Sequence, residues 1–438
     1  PPRSTLFPYT TLFRSSGRLN FDDKILLGQS DQEEYVLNTK VVEMSETDSG
    51  SEKSDNQLWR FVALSDYHLP AEPVTHTVKK GLAGFRRLVG RKTDESASPL
   101  KSADELSSLS EWQLNRIVPY PQWEEATDSL NEVLKPWLEL DETNLPIAML
   151  VGPPFSGYAD ILQDWCDQHN WILIEPPSPQ QVMDNDDSWL TEKPQENRPW
   201  VLSGLEKTFL RHAEGLRLVR KILDQAYAGK LGRGIMGCSS WAWAYLGYVW
   251  HGKMPYTLTL QAFDQQGLSQ HLQKAAFNST NRNFRFRQAD NGKCVLPDPQ
   301  AEEKAGEMSS FMQLLAAYSR GNLGVAVDAW RTALRTEPDQ VLAEEVQKEE
   351  GDISQQTIWV TPWEQLKLPS LPAEAKHHEA FVLQALLLHN GLSLEWLQQL
   401  LPMTPNLVTE TLIRLKESGL AQQDRKSTRL NSSHVSQS

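Results

Sequence analysis

The chain reads as α/β, with a parallel sheet and helices on both faces. Three observations predict this. Apolar runs of strand length alternate with longer runs of helical period between residues 116 and 265. The first of these runs leads into a glycine loop, Gly152 to Ala159, and an amphipathic stretch follows the loop at once. From about residue 301 onward the period is helical, with breaks that mark helix pairs.

Taken in order, residues 16 to 115 read as a partly disordered N-terminal region. Two strand-like pieces, Tyr35 to Leu37 and Leu58 to Ala63, sit between charged stretches poor in aromatics, Ser45 to Asn56 and Thr93 to Ser110. Within this region, over 78–92, Val78, Leu82, Phe85 and Val89 recur at helical spacing, while Lys79, Lys80, Arg86 and Arg87 fall mostly elsewhere. That is a basic amphipathic helix, suited to an anionic membrane surface or an acidic partner. Its glycines, Gly81, Gly84 and Gly90, weaken it, and an ordinary surface helix is the plainer reading.

Residues 116 to 300 carry the α/β pattern. Pro119 to Glu139 reads as a helical lead-in with Trp123, Leu130, Leu134 and Trp137. Five strands are predicted at Ile147 to Val151, Trp171 to Ile174, Trp200 to Leu202, Gly234 to Cys238 and Tyr256 to Leu260. A polar loop, Glu175 to Pro199, separates the second from the third. Residues 301 to 342 read as a helical lid, two helices joined at Ser319 to Asn322. Residues 343 to 372 read as a Glu/Gln-rich linker. Residues 373 to 423 read as three helices with breaks at Asn390–Gly391 and between Pro402 and Pro405, then the start of a strand, which is a winged helix cut off before its wing.

The two ends are set apart. Thr5 to Ser15 and Asp424 to His434 resemble in-frame translations of sequencing adapters, so 1–15 and 424–438 are excluded from fold reasoning and the chain is expected to be truncated at both ends. The net charge of -14 excludes default binding to nucleic-acid phosphates. Three scattered cysteines, Cys166, Cys238 and Cys294, show no zinc or disulfide spacing and suit a reducing cytoplasm. No apolar run approaches the roughly 18 residues of a membrane span.

The glycine loop has the spacing of a phosphate-binding loop, but Tyr158 stands where lysine belongs and Ala159 where Ser or Thr belongs. The next candidate is Val201 to Glu206, with Ser203, Gly204 and Glu206 following an apolar strand. In this order the motifs resemble the AAA+/STAND group of P-loop NTPase proteins with a C-terminal winged helix, and the origin-recognition initiator type is the nearest architecture. The resemblance covers about 120 to 423 and rests on motif order. It implies a Walker A loop retaining Gly152 and Gly157, and a second motif retaining Gly204 and Glu206 with Ser203 in place of the metal-organising aspartate. It implies a sensor position at Ser239–Ser240. It also implies a lid motif at Gly321 to Gly324, where Gly324 takes the arginine's place and Arg320 is a substitute.

These losses are cumulative. Without the lysine, the hydroxyl and the aspartate, the site lacks the groups that neutralise the phosphates and hold magnesium. The remaining backbone supports weak ATP binding and no ordinary turnover. No metal site is predicted, and Glu206 is the catalytic candidate only for an active enzyme. Three functions follow from this reading. The first is a catalytically degenerate regulatory or assembly module that engages a protein partner. The second is an ATP-dependent DNA-binding regulator that uses 404–418, with Arg414 and Lys416 opposed by Glu410 and Glu417. The third is a cytoplasmic protein peripheral to a membrane, docked through 78–92. Two further clusters read as surface features: Arg211, His212, Arg217, Arg220 and Lys221 as a solvated helix face, and Asn283 to Arg287 as a hairpin edge.

Overall fold

The computed structural model describes residues 58–70, 100–101, 105–140, 146–188, 198–252, 255–280, 284–297, 308–337, 356–368, 377–423 and 428–429. The basic stretch 78–92, the tail 1–15 and the strand-like Tyr35 to Leu37 lie outside these residues. The strands, in chain order, are β1 (Phe61–Ala63), β2 (Ser107–Ser108), β3 (Ile147–Gly152), β4 (Ile172–Leu173), β5 (Trp200–Leu202), β6 (Gly234–Ser239), β7 (Tyr256–Leu260), β8 (Phe284–Gln288), β9 (Leu334–Thr336), β10 (Gln356–Val360), β11 (Gln422–Gln423) and β12 (Thr428–Arg429).

The chain divides into two compact units. The first takes residues 1–68, 122–261 and 369–438. Its sheet has the order β1-β7-β3-β6-β5-β4. All neighbours are parallel except β1, which pairs antiparallel with β7 at the edge. The five predicted strands are present, and the parallel α/β class holds. β3 and β6 are buried along their whole length, as expected of central strands covered on both faces. Their register places Val151 opposite Cys238 and Gly152 opposite Ser239, so the ends of both strands deliver their loops to the same place. In open parallel sheets, ligand sites gather at these carboxyl ends.

Aromatic burial holds the helices to this sheet. The helix Glu124–Glu139 begins only after Pro121, later than the predicted lead-in, and packs on the helix Tyr158–His169. Trp137 and Trp165 are fully buried between them, and the Trp171 ring meets both, edge-on to Trp165 at 4.8 Å. The Arg233 guanidinium lies 5.1 Å from the Trp137 ring and donates to the carbonyls of Leu138 and Leu140. It thereby satisfies carbonyls that the end of that helix leaves without partners. The basic helix face Arg217–Tyr227 is engaged within the chain: Arg217 pairs with Glu214, Lys221 with Asp187, and Arg220 donates to the Val249 carbonyl.

Three C-terminal helices, His377–Leu388, Leu394–Leu400 and Pro405–Glu417, belong to this first unit. Val382, Leu386, Leu397, Val408 and Leu415 join the same hydrophobic cluster as Met149, Leu202 and Met236 of the sheet. The predicted helix breaks fall at Asn390 and Gly391, both at positive φ. β11 pairs antiparallel with β12, which lies in the stretch read as adapter-derived.

The second unit takes residues 69–121 and 262–368. The two helices predicted over 301–342 are present as Phe311–Ser319 and Leu323–Ala333, with Arg320 and Gly321 at positive φ between them. They are accompanied by the helices Glu111–Ile117 and Gln265–Thr280 and by a four-stranded sheet of order β2-β9-β10-β8. This differs from the sequence reading in three ways. β10 lies inside the sheet, parallel to β8 and antiparallel to β9, within a stretch read as linker. Of the stretch Asn283 to Arg287, read as a hairpin edge, Phe284 to Arg287 belong to the edge strand β8, whose strand partner β10 is distant in sequence, and Asn283 lies outside the described residues. β2 and the start of the helix Glu111–Ile117 come from the region read as partly disordered, as β1 does in the first unit.

The core of the second unit is a chain of rings, Phe286 to Trp330 to Phe311 to Trp363, with centroids 5.3 to 5.6 Å apart. Beside it, the buried Arg331 donates to the Val118 carbonyl, to Glu111 at 2.7 Å and to Asn115 at 2.9 Å, and lies 4.5 Å from the Tyr120 ring. Asp328 stands one helical turn away. Burial pushes its carboxyl up to about 7; Arg331 opposes that shift and Glu111 adds to it. A carboxyl raised on folding stabilises the fold at low pH, and this contribution is lost as pH rises through the folded value. Asp328→Asn is therefore expected to raise stability at pH 8, by up to about 4 kcal/mol, and to change it little at pH 4. Urea denaturation at the two pH values reads this directly.

Candidate functional site

The loop after β3 is built around two residues at positive φ, Phe155 and Gly157. Gly157, at φ 78°, is the residue from which the helix Tyr158–His169 starts. A Cβ there would sit 2.3 Å from the Trp123 ring, so that ring lies directly on the loop. Ser156 and Tyr158 fold back over Gly152 into the space that a Cβ on that glycine would occupy. Gly152, Gly157 and Tyr158 are all buried, and Ala159 is half-buried in the first turn of the helix.

Tyr158 does not point out of the loop. Its hydroxyl donates to Oε1 of Glu206 at 2.6 Å. Glu206 lies in the short 3-10 turn Leu205–Lys207 that follows β5 and is 1% exposed. Its Oε2 accepts from the backbone N–H of Ser239 at 3.2 Å, at the end of β6. Its Oε1 also accepts from Nδ2 of Asn390 at 3.4 Å. Three donors from three loops thus converge on one buried side chain, as a buried acceptor requires. Ser239 takes part twice, since its hydroxyl accepts from the Ala242 N–H and caps the helix Ser240–Val249. Burial, with Glu206 beside it, pushes the Cys238 thiol well above its ordinary range, so this cysteine is a core residue and no nucleophile.

The structure brings together Gly152, Gly157, Tyr158, Ser239 and Glu206, each from a motif singled out in the sequence. Ser203 is half-buried at the end of β5. Arg320 belongs to the second unit, half-buried where the helix Phe311–Ser319 ends. Among the described residues, no group of three or more His, Cys, Asp or Glu is placed to hold a metal.

Sequence reasoning missed Trp123, His389 and Asn390 as parts of this site. His389 is buried; its Nε2 accepts from the Arg211 N–H at 3.4 Å, and its ring meets Phe209 edge-on at 5.1 Å. Burial lowers its pKa to about 4; the Glu206 and Phe209 carbonyls oppose the shift and the Arg211 charge reinforces it. A depressed histidine contributes stability above its unfolded value of about 6.5, which is lost as pH falls through the folded value. Acid denaturation is expected to show a slope between about pH 6.5 and 4 worth roughly 3 kcal/mol, which His389→Gln should flatten.

Among solved structures, the chain is similar to a Walker-type ATPase of Pyrococcus abyssi, at 12% identity and a TM-score of 0.32, over 72% of this chain and 95% of that one. It matches no protein-family model and no curated protein. A likeness at that score places no motif and assigns no activity, so the site stands on its own geometry. Among the described residues, no helix is long and apolar enough to cross a membrane.

Proposed function

We propose that the chain is a catalytically degenerate relative of AAA+/STAND-type P-loop proteins, with weak or no ATP hydrolysis, acting as a regulatory or assembly module. One observation carries the reading: the tyrosine at the lysine position of the loop is hydrogen-bonded to the glutamate of the second motif. A lysine there would present a point charge to the phosphates; Tyr158 instead turns inward and engages the side chain that would orient water. Ala159 supplies no hydroxyl for magnesium. The three C-terminal helices are, on this reading, a winged helix used as a packing element, since they share the hydrophobic core of the sheet.

The DNA-binding alternative is less well supported. Arg414, its leading phosphate contact, is 3.8 Å from Glu379 of the helix His377–Leu388. A loop that retains glycines and a helix start still offers an anion some hold, so weak nucleotide binding is part of the proposal.

The test is an ATPase assay with calorimetry on the purified protein, with and without magnesium. We expect no turnover above background and at most weak binding that magnesium leaves unchanged. Magnesium-dependent hydrolysis abolished by Glu206→Gln would overturn the reading.

A further inference from the structure

A cavity of about 180 Å³ opens in the first unit, away from the glycine loop's own residues. Its lining is apolar, with Ala385, Leu400 and Leu401 and the half-exposed ring of Phe381. Two polar residues also line it. His389 is buried and neutral near pH 7. Arg211 is exposed; one Nη donates to Gln384 at 2.9 Å, and the guanidinium has no carboxylate partner among the described residues.

We infer that this cavity binds the C-terminal residue of a protein partner that ends in an apolar side chain. The volume is that of one large side chain, below the roughly 300 Å³ at which whole small-molecule ligands begin. An anchor side chain seated in an apolar pocket is the usual energetic centre of a protein contact. The Arg211 guanidinium, bonded to Gln384 and without a carboxylate partner among the described residues, stands where it can receive an anion next to the anchor. A chain terminus supplies both on a single residue, because its side chain and its carboxylate leave the same Cα. Arg is the side chain best suited to grip a carboxylate with two parallel hydrogen bonds.

The inference deepens the assembly-module reading and rests on it only for the role of the partner. Nucleotide calorimetry and peptide binding fail independently, so the two can be told apart.

The experiment uses the full chain with labelled leucine methyls and three probes: acetyl-Gly-Gly-Leu as the free acid, the same peptide amidated, and acetyl-Gly-Gly-Gly as the free acid. The Leu400 and Leu401 methyl signals are followed by NMR. We expect saturable shifts with the leucine acid, binding weaker by about ten-fold or more for the amide, and no saturation with the glycine acid. Arg211→Gln, at an exposed position, should bring the acid down to the amide's affinity. Equal binding of acid and amide would assign the pocket to internal apolar segments and overturn the inference. So would an absence of saturable shifts with the leucine acid, or an affinity unchanged by Arg211→Gln.

Discussion

Glu206→Ala is expected to lower the stability of the first unit by about 2 to 4 kcal/mol. The substitution leaves the Tyr158 hydroxyl, the Ser239 N–H and the Asn390 amide without their acceptor, in a place where Glu206 itself is 1% exposed. The Tyr158 hydroxyl and the Ser239 N–H are buried and cost about 1 to 3 kcal/mol each, part of it recovered as side chains relax, while the exposed Asn390 amide turns to water. Tyr158→Phe removes one of the three bonds and should cost about 1 to 2 kcal/mol. Urea denaturation should register the loss. Stability unchanged by Glu206→Ala would mean that the three contacts are not maintained in solution.

Gly157→Ala is the second large effect. The residue sits at φ 78°, a conformation that costs an L-residue about 1 to 2 kcal/mol. Its Cβ would also lie 2.3 Å from the Trp123 ring, a clash that adds about 1 to 3 kcal/mol of overpacking. We expect a loss of about 3 to 4 kcal/mol in total. Gly229→Ala is the control, since it shares a positive φ of 68° but meets nothing within 4 Å. It should cost only the backbone share. If the two substitutions cost the same, the Trp123 ring does not bear on the loop as described.

The parts of this structure that the sequence discloses are those whose physics is local. An apolar run ahead of a glycine turn is enough to place β3, and Ser319 to Asn322 is enough to end one helix and start the next, because turn residues act where they stand. That Tyr158 and Ala159 follow the second glycine of the loop is visible letter by letter. What Tyr158 does instead is not visible, since its partner lies 48 positions away and only the packing of β5 beside β6 brings Glu206 within reach. Asn390 reads as a turn residue, and nothing nearby in sequence marks its amide as a donor to Glu206. β10 is hidden for another reason: Thr357 to Val360 follow a long Glu/Gln-rich stretch, and composition averaged over a window drowns a five-residue strand. The likeness to ATPases in motif order concerned the fold; which residues close the loop was decided by tertiary contact.

The Glu206 cluster also sets a timetable for synthesis. Asn390 lies 184 positions after Glu206. A ribosome adding about 5 to 20 residues each second needs roughly 10 to 40 seconds to cover that distance. Over that interval Glu206 can meet Tyr158 and Ser239, while its third donor and the C-terminal helices that complete its unit's hydrophobic cluster have not yet been made. The nascent first unit therefore carries an open, apolar flank until its last helices emerge. A chaperone binding nascent chains has its longest opportunity there, and a ribosome stalled anywhere between residues 261 and 377 leaves that flank uncovered.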